Sequence, residues 1–391
     1  MTEALYHRPL KFKSPLVADV LSALKTLGHL VYLNNNGQPF IACCAQEYFI
    51  VQQSHIQSFQ RVEIEQYQLR SSEFSLEIDA LRNPHKTGFH GGYVGFVGYD
   101  YAAQQYIQYP DRSPPGLFIG QFSSYIKPSS EGWMFYSDDP EAEQIFDYIQ
   151  NLLNQNKIRP TFQLISPCTS RWTKTVYSKA FQKIQDYIIA GDCYQINLTQ
   201  EFNGRAQGSL LATAQAFWTL TEAPYAGYLR IGDFELLSCS PELFIDFETK
   251  RKIITKPIKC TMPRFTDPVL DEQSRQTLKA SEKDQAENVM IVDLLRNDLS
   301  VYAETGSVKT PKLFSIESFN QVHHMVSEVE ATLKADINPF EVLMSALPGG
   351  SITGAPKIRA MQIIEELEGA PRGAPSSSSI ICMARILGAP V

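Results

Sequence analysis

The chain has 391 residues, 43% of them hydrophobic, so it is long enough to bury a substantial core and to form two or three domain-sized units. Its formal net charge of −7 argues against nucleic acid or an anionic membrane as the main partner, because either would require a basic surface. A small anionic ligand remains compatible with this charge, since a binding site needs only local positive charge.

The cysteines are odd in number and show no Cys-x-x-Cys spacing. This pattern predicts neither a disulfide framework nor a zinc site, and it is typical of a reduced cytoplasm. No apolar run approaches the roughly eighteen residues that a membrane-spanning helix needs. We therefore expect a cytoplasmic protein. The seven cysteines are Cys43, Cys44, Cys168, Cys193, Cys239, Cys260 and Cys382.

The first part of the chain alternates apolar runs with turn residues. Residues 30–33 and 40–44 flank an Asn-Asn-Asn-Gly turn, which predicts a β-hairpin. Residues 91–100 are rich in glycine, but they predict a strand with close backbone packing rather than a dinucleotide-binding loop. The reason is that no amphipathic helix is predicted directly after them.

A polar stretch with two prolines, residues 151–171, is the predicted boundary between two parts of the chain. We predict an N-terminal β-rich domain over residues 1–155 and a second domain over residues 172–391. In the second part, Tyr177, Phe181, Ile184 and Ile188 recur at helical spacing before Gly191, which predicts a core helix that ends there.

Three polar side chains stand in apolar surroundings further along the chain. Gln195 and Asn197 share one face of a strand-like run, which suggests a polar pocket, although a solvent-exposed face would also explain them. Glu242 interrupts an apolar run, and a buried carboxylate without a partner keeps its proton, as a general acid at neutral pH must. The alternative is a helix-start glutamate, since Ser240 and Pro241 resemble an N-cap followed by proline.

Lys259 lies among apolar, β-branched and proline neighbours, with no carboxylate close to it in sequence. An ammonium group in apolar surroundings loses solvation, so a fraction of it becomes the free, nucleophilic amine. Lys259 is therefore a candidate nucleophile. The alternative is a strand lysine whose aliphatic part packs while its ammonium reaches water.

A long helix is predicted to begin at Ser281, with Asp284 as its capping partner. Asp284 and Glu287 share one face of this helix with apolar residues, and an isolated buried anion is costly. A bound cation would compensate Glu287, and Mg²⁺ is the first choice for oxygen ligands, with Asp284 as the second candidate ligand. The alternative is an internal salt bridge to Lys283 or Arg296.

Two further motifs precede the C-terminal part of the chain. His323 and His324 are adjacent, so in a strand only one of them can face a given site and they cannot form a metal pair. Residues 348–357 form a glycine-rich loop that enters a helix, where free backbone N–H groups favour an anion. The loop lacks the Gly-Lys-Ser/Thr of a phosphate-binding Walker loop, so we predict that it binds a carboxylate.

Four of these motifs, in this order, resemble the chorismate-utilising enzymes, the family of the anthranilate, aminodeoxychorismate, isochorismate and salicylate synthases. The match runs from about Tyr177 to Arg372. The resemblance implies an α+β fold in which two antiparallel β-sheets pack as a sandwich with helices on the outside, and a chorismate-binding catalytic domain over residues 172–391. The motifs are Gly-Asp-Cys-Tyr-Gln-Ile-Asn-Leu from Gly191, Ser-Pro-Glu from Ser240, Asp-Gln-Ala-Glu-Asn-Val-Met-Ile-Val-Asp-Leu-Leu-Arg-Asn-Asp from Asp284 and Gly-Gly-Ser-Ile-Thr-Gly-Ala-Pro-Lys from Gly349.

Two positions, 259 and 195, distinguish the synthases within the family. Lysine at position 259 is typical of aminodeoxychorismate synthase component I, whereas anthranilate synthases carry Pro-Ile-Ala-Gly-Thr there. Isochorismate and salicylate synthases have a lysine base at the position of Gln195, and glutamine suits amination rather than attack by water. The resemblance thus implies amination of chorismate to 4-amino-4-deoxychorismate in p-aminobenzoate and folate biosynthesis, with ammonia from a separate glutamine amidotransferase. The alternatives are anthranilate synthase component I and a non-catalytic relative that only binds the amidotransferase.

The resemblance also implies a role for each site residue. Lys259 would attack the ring at C2, Glu242 would protonate the departing 4-hydroxyl, and ammonia, oriented by Gln195, would add at C4 and expel the lysine. Glu287, with Asp284, would hold Mg²⁺ at the ring carboxylate of chorismate. His324, rather than His323, matches the site-facing histidine of the family. The implied substrate-binding residues are Thr261, Gly350, Ser351, Thr353, Gly354 and Lys357.

The chain departs from the family in three places. Relatives usually read Pro-Ile-Lys-Gly-Thr-Arg-Pro-Arg, and here Cys260 and Met262 replace the glycine and the first arginine. We expect the side chain of Cys260 to crowd the approach to substrate. After Gly373 the family continues with an arginine for the enolpyruvyl carboxylate and a second Mg²⁺-binding glutamate, which residues 374–391 do not match. We therefore expect a truncated C-terminal segment that lacks strands of the sandwich, and a chain that is weakly active or inactive.

Overall fold

The computed structural model describes residues 5–52, 55–73, 88–107, 115–155, 159–373 and 386–387. The helices in these ranges are α1 (Val17–Ala23), α2 (Tyr99–Ala103), α3 (Ala142–Gln155), α4 (Lys174–Ala190), α5 (Leu211–Thr221), α6 (Pro268–Ala280), α7 (Glu282–Ser300), α8 (Pro339–Ala346) and α9 (Lys357–Glu368), with short 3-10 helices at Thr249–Arg251 and Gly350–Ile352. No helix in these ranges combines the length and the apolar character needed to cross a bilayer.

The strands are antiparallel to their neighbours wherever they pair in the described ranges. In chain order they are β1 (Tyr6–Leu10), β2 (His29–Leu33), β3 (Phe40–Cys43), β4 (Glu47–Gln52), β5 (His55–Glu63), β6 (Gln66–Glu73), β7 (Gly92–Val97), β8 (Leu117–Phe122), β9 (Ser124–Ser129), β10 (Gly132–Ser137), β11 (Phe162–Leu164), β12 (Thr169–Ser170), β13 (Gln195–Ile196), β14 (Phe202–Asn203), β15 (Ala206–Gly208), β16 (Tyr225–Ile231), β17 (Phe234–Ser240), β18 (Leu243–Phe247), β19 (Lys252–Lys256), β20 (Ile258–Pro263), β21 (Lys309–Ser318), β22 (Val322–Thr332), β23 (Gly354–Ala355) and β24 (Ile386–Leu387).

Sheet 1 has the strand order β1-β10-β9-β3-β2-β16-β17. The predicted hairpin is confirmed, because β2 and β3 are neighbours with Leu33 opposite Phe40. On its other edge β2 pairs with β16, with Leu33 opposite Gly227. Backbone hydrogen bonds within one sheet therefore cross the predicted boundary between residues 1–155 and 172–391, and the division into those two domains stays a prediction.

Sheet 2 has the strand order β24-β7-β8-β4-β5-β6. The predicted close packing of the glycine-rich strand is confirmed, since a Cβ atom on Gly95 would lie only 1.9 Å from the carbonyl oxygen of Phe118 in β8. A short helix, α2, begins at Tyr99 within this glycine-rich stretch. Its five residues are too few to display an amphipathic periodicity, so the prediction that no amphipathic helix follows the strand is not contradicted.

Sheet 3 is organised around β22, which pairs with β19, β20 and β21, while β18 extends the sheet beyond β19. Ile258 in β20 lies opposite Val326, and the pairing is interrupted by a β-bulge between Lys259 and Thr261. A bulge bends its strand and redirects the side chains beside it. The predicted nucleophile therefore stands at an irregular point of an otherwise regular sheet.

The sheets and helices form stacked layers around three large apolar cores. Sheets 1 and 2 pack face to face, with Val31 and Leu229 from one sheet meeting Phe96 and Phe118 from the other. Helices α1, α3 and α5 cover the outer face of sheet 1. Sheet 3, α7 and α8 cover the outer face of sheet 2. The predicted α+β fold with packed antiparallel sheets and outer helices is confirmed, and sheet 3 is a third large sheet beyond the predicted pair.

The helix ends near the site follow the predicted signals. Helix α4 ends at Gly191, whose φ of 82° is the left-handed conformation that glycine adopts at low cost. Helix α7 begins after Ser281, whose hydroxyl accepts a hydrogen bond of 3.3 Å from the backbone N–H of Asp284. The end of α4 at Gly191 places the strand of Gln195 four residues later. The start of α7 after Ser281 places Asp284 and Glu287 in its first two turns.

Candidate active site

Glu242 lies in the tight connection between β17 and β18, and it is half-buried. The backbone N–H of Glu242 donates a 3.2 Å hydrogen bond to the hydroxyl of Ser240. The alternative of a helix-start glutamate is wrong, because the chain continues into a strand instead of a helix. Side-chain hydrogen bonding by Ser240 is common to both kinds of turn, which is why the sequence pattern could not separate them.

The Glu242 carboxylate meets groups from β20 and from the 3-10 helix Gly350–Ile352. Its Oε1 is 3.5 Å from the backbone nitrogen of Ile258, and the hydroxyl of Ser351 hydrogen-bonds to the carboxylate. Burial raises the pKa of Glu242 to about 7, although these hydrogen bonds and the charge of Lys259 act to lower it. A carboxyl group with such a pKa can both hold and release a proton near neutral pH.

Lys259 is half-buried in β20, directly opposite the fully buried Met325 of β22. No described residue forms a salt bridge with its ammonium group within 4.0 Å. The positive charge of Lys259 lowers the pKa of the Glu242 carboxyl group. The predicted acid, Glu242, and the predicted nucleophile, Lys259, therefore lie close enough to interact electrostatically.

Cys260 is the extra residue of the bulge, and its φ of 68° lies in the left-handed region that favours glycine. Its Sγ lies 4.0 Å from the carbonyl oxygen of Asp284, so the side chain lies against the start of α7. Burial and the nearby Asp284 and Glu287 raise the pKa of this thiol to about 12, so it stays protonated at neutral pH. The expected crowding of the substrate stays a prediction.

His323 and His324 make separate contacts from β22, as expected for adjacent residues of a strand. His323 is 1% exposed, and its ring nitrogens lie 2.7 Å from Ser318 Oγ and 3.2 Å from Asp271 Oδ1. The Nδ1 of His324 lies 3.0 Å from Thr261 Oγ1, beside the bulge. Burial lowers the pKa of His324, so its ring is neutral at neutral pH. The choice of His324 as the site-facing histidine stays a prediction.

Strand β13 joins the glycine-rich loop through β23, with Gln195 opposite Ala355. The Oε1 atom of Gln195 is buried and has no hydrogen-bond partner among the described residues. The side-chain nitrogen of Asn197 donates a 2.9 Å hydrogen bond to the carbonyl oxygen of Ser351. Asn197 therefore holds the glycine-rich loop and Gln195 Oε1 keeps an unused acceptor position, while the polar pocket around them stays a prediction.

The loop itself is packed too tightly for side chains at two of its glycines. A Cβ atom on Gly350 would lie 2.2 Å from Leu294 Cδ2, and one on Gly354 would lie 2.0 Å from the carbonyl oxygen of Gln195. The hydroxyl of the buried Thr353 donates to the carbonyl oxygen of Gly349 at 3.0 Å. These contacts hold the loop against α7 and β13, so the binding roles predicted for Gly350, Thr353 and Gly354 would have to come from their backbone groups.

Lys357 is the first residue of α9, and its ammonium group is already paired. It lies 2.8 Å from Asp298 Oδ2 on α7 and 3.2 Å from the carbonyl oxygen of Ala346. Its side chain is only 11% exposed. The structure therefore gives Lys357 a role in joining the loop to α7, and nothing in these contacts supports the predicted contact with substrate.

Asp284 and Glu287 lie one turn apart on α7, and both are half-buried. Lys283 Nζ is 4.0 Å from Glu287 Oε1, so the alternative salt bridge exists at the limit of contact. In the part of the chain that is described, no group of three or more His, Cys, Asp or Glu side chains could hold a metal by itself. Mg²⁺ usually takes one or two carboxylates and completes its shell with water and substrate oxygens. Two carboxylates fit such a shared ion.

Arg372 is a buried residue that the sequence did not single out. Its guanidinium group contacts Glu368 and the carbonyl oxygens of Asn197 and Ile352, two residues in the segments that carry Gln195 and Ser351. No local pattern marks a buried arginine, because its partners are distant in the sequence.

The sequence pattern of chorismate binding enzymes matches residues 29–383. Aminodeoxychorismate synthase component 1 of Klebsiella aerogenes is 39% identical over 75% of this chain and 65% of its own length, and that of Escherichia coli is 38% identical over 73% and 64%. Anthranilate synthase component 1 of Neisseria gonorrhoeae is 31% identical over 85% of this chain and 73% of its own length. The chain thus spans less than two thirds of the aminodeoxychorismate synthase relatives.

Solved structures show the same fold at lower identity. Anthranilate synthase component I from Streptococcus pneumoniae superposes with a TM-score of 0.71 at 24% identity, covering 86% of this chain and 78% of its own. The menaquinone-specific isochorismate synthase of Escherichia coli superposes with a TM-score of 0.68 at 15% identity, covering 95% and 80%. Sequence pattern, relatives and fold agree that the chain belongs to the family of chorismate binding enzymes.

Proposed function

We propose that the chain aminates chorismate with ammonia to give 4-amino-4-deoxychorismate through a covalent intermediate on Lys259. One observation carries this proposal: Lys259 and Glu242 lie close enough for the lysine to lower the pKa of the carboxyl group. Lys259 forms no salt bridge with a described carboxylate, and the pKa of Glu242 is raised to about 7. Substitution at C4 of chorismate needs a nucleophile and an acid for the hydroxyl that leaves. The names and identities of the aminodeoxychorismate synthase relatives support the same reaction.

In the first step the free amine of Lys259 forms a bond to C2 of the ring. The C1–C2 double bond shifts to C1–C6, the C5–C6 double bond shifts to C4–C5, the C4–O bond breaks, and the proton of Glu242 leaves with the hydroxyl as water. The new secondary ammonium then returns a proton to Glu242. Dividing a difficult substitution into two displacements lowers the barrier that each must cross.

In the second step ammonia forms a bond to C4, the two double bonds return to C5–C6 and C1–C2, and the C2–N bond to Lys259 breaks. The departing lysine takes up the proton that ammonia loses. We assign the orientation of ammonia to Gln195, because its buried Oε1 has an unused acceptor position and its neutral amide cannot deprotonate water. The net reaction consumes chorismate and ammonia and yields the amino product and water.

Asp284 and Glu287 would hold Mg²⁺, which supplies positive charge for the ring carboxylate of chorismate. Backbone N–H groups of the glycine-rich loop, together with Thr261 and Ser351, would contribute hydrogen bonds to the substrate. We also propose that ammonia comes from a separate glutamine amidotransferase, since the relatives are named as one component of a synthase. The free cysteines of the described residues are compatible with the predicted cytoplasmic location.

The direct test is an assay of the purified chain with chorismate, Mg²⁺ and ammonium, analysed by mass spectrometry. We expect 4-amino-4-deoxychorismate without release of pyruvate. Anthranilate and pyruvate would indicate the alternative anthranilate synthase activity, and no turnover under any condition would favour the non-catalytic alternative. Without ammonium, the protein should gain an adduct equal to chorismate minus water on the peptide that contains Lys259.

Lys259→Ala should reduce amination at least about a hundredfold, because it removes the group that forms the covalent intermediate. The matched control is Lys256→Ala, since Lys256 lies three residues earlier and pairs with Glu328 at 3.5 Å. The control should retain activity. Equal turnover by Lys259→Ala and the unchanged chain, with intact folding, would refute the covalent mechanism.

A further inference from the structure

Arg372 follows α9 and inserts its side chain into the interior, where only 2% of it is exposed. Its Nε and Nη2 donate to the two oxygens of Glu368 at 2.9 and 2.6 Å. The guanidinium carbon lies 4.6 Å from the centre of the Tyr99 ring. A buried arginine that binds one carboxylate through two donors is held in a fixed orientation.

The remaining donors of Arg372 join two backbone segments. Nη1 donates to the carbonyl oxygen of Ile352 at 2.6 Å, and Nη2 donates to that of Asn197 at 2.7 Å. Ile352 follows Ser351, whose hydroxyl binds the Glu242 carboxylate. Asn197 lies two residues after Gln195 in the same extended segment. One guanidinium group therefore links the segments that carry the ammonia-orienting amide and the partner of the acid.

Glu368 extends this link. Its Oε1 also accepts hydrogen bonds from the backbone N–H and the hydroxyl of Thr199, at 3.0 and 3.2 Å. The backbone N–H groups of Arg372 and Gly373 donate to the carboxylate of Asp100 at 2.8 and 2.6 Å. These contacts fix the Glu368 carboxylate and the backbone of Arg372, so the guanidinium group is held at both its partner and its own main chain. A guanidinium group has several donors in a rigid plane, as its contacts with Glu368 and the two carbonyl oxygens require.

We propose that Arg372 is a positioning residue that sets the separation between Gln195 and Ser351, and with it the alignment of ammonia with the proton donor Glu242. This proposal rests on the proposed amination, because Gln195 and Glu242 have these tasks only in that reaction. Arg372 itself acts through the backbone and does not touch the substrate. A change of about 1 Å in the placement of reacting groups is enough to reduce a rate about a hundredfold.

Two variants separate positioning from a purely structural ion pair. Arg372→Lys keeps the charge that neutralises Glu368, but an ammonium group cannot serve that carboxylate and both carbonyl oxygens with the same geometry. Arg372→Met/Glu368→Gln removes both charges, so no unpaired charge stays buried, and glutamine still accepts from Thr199. The matched control is Arg171→Lys, since Arg171 donates to the carbonyl oxygen of Glu368 and reaches neither of the two linked segments.

We expect both Arg372 variants to fold and to lose about ten- to a hundredfold in kcat, with a smaller change in KM for chorismate. The alkaline limb of the pH profile should move to higher pH, because Ser351 would no longer help to keep Glu242 ionised. Hydrogen exchange should accelerate in residues 195–197 and 350–354, while the rest of the chain exchanges as before. Arg171→Lys should change none of these quantities.

The proposal would be overturned by a folded Arg372→Lys or double variant with unchanged kcat, pH profile and exchange in those segments. If the double variant fails to fold, the lysine variant decides. The proposed function fails separately, when the unchanged chain neither converts chorismate nor forms the lysine adduct. In that case the exchange measurement alone decides whether Arg372 holds the two segments.

Discussion

At the scale of one residue, burial changes the pH at which the Glu242 carboxyl group loses its proton. In the unfolded chain its carboxyl group titrates near the ordinary value of 4.5, whereas burial raises the pKa in the folded chain to about 7. Between these values the folded protein holds a proton that the unfolded chain has released. Stability from this residue is therefore fully present below pH 4.5 and is lost as the pH rises through 7.

We predict that Glu242→Gln removes this dependence. Relative to the variant, the unchanged protein should lose about 2 kcal/mol in its free energy of unfolding between pH 5 and pH 8, since one pKa unit corresponds to about 1.4 kcal/mol. Urea denaturation at both pH values measures the difference. Parallel changes in the two proteins would show that Glu242 titrates normally, and would also weaken its assignment as the acid.

Cys260 has a φ of 68°, a backbone conformation that suits glycine. We predict that Cys260→Gly is more stable than Cys260→Ala by about 1 kcal/mol, because both lose the thiol and only alanine keeps a Cβ atom at a positive φ. Denaturant unfolding of the two variants gives the comparison. Equal stabilities would mean that the bulge relaxes to a different conformation when the side chain changes.

At the scale of elements, the ion pair between Lys357 and Asp298 joins the start of α9 to α7. The two side chains are 11% and 18% exposed, so removing the lysine leaves a poorly hydrated carboxylate. We predict that Lys357→Met lowers the free energy of unfolding by about 2 kcal/mol and that Lys357→Met/Asp298→Leu recovers most of this loss. A large rise in KM for chorismate with unchanged stability would instead support the substrate contact predicted from the sequence.

Elements defined by neighbouring residues could be predicted from the sequence. The β2–β3 hairpin has a turn signal between two apolar runs, and α4 and α7 have periodic faces with a glycine stop and a serine cap. The site motifs could be recognised because each is continuous in the chain. What they contact could not be predicted: the partner of Lys357 is on α7, and the hydrogen bond from Ser351 to Glu242 joins segments far apart in sequence. Such contacts depend on how sheets and helices pack, which local patterns do not encode.

At the scale of the whole molecule, sheet 1 unites the N-terminal part of the chain with the part that carries the site. Strand β16 pairs with β2 on one edge and with β17 on the other, and β17 leads directly to Glu242. The core between sheets 1 and 2 contains Leu229 and Ile231 of β16 together with residues of the first half of the chain. The acid of the proposed site is therefore held by a strand whose neighbour lies far back in the sequence.

Because β16 pairs with β2, the two-domain division predicted from the sequence can be tested by separating the two parts of the chain. We expect residues 172–391, expressed alone, to aggregate for the most part, because β16 would present an unpaired edge and an uncovered apolar face. The intact chain under the same conditions is the control, and it should unfold in a transition that involves both parts together. Size-exclusion chromatography and circular dichroism measure both properties. A monomeric fragment with native-like circular dichroism would show that the second part folds without sheet 1, and would make residues 172–391 an independent domain despite the shared hydrogen bonds.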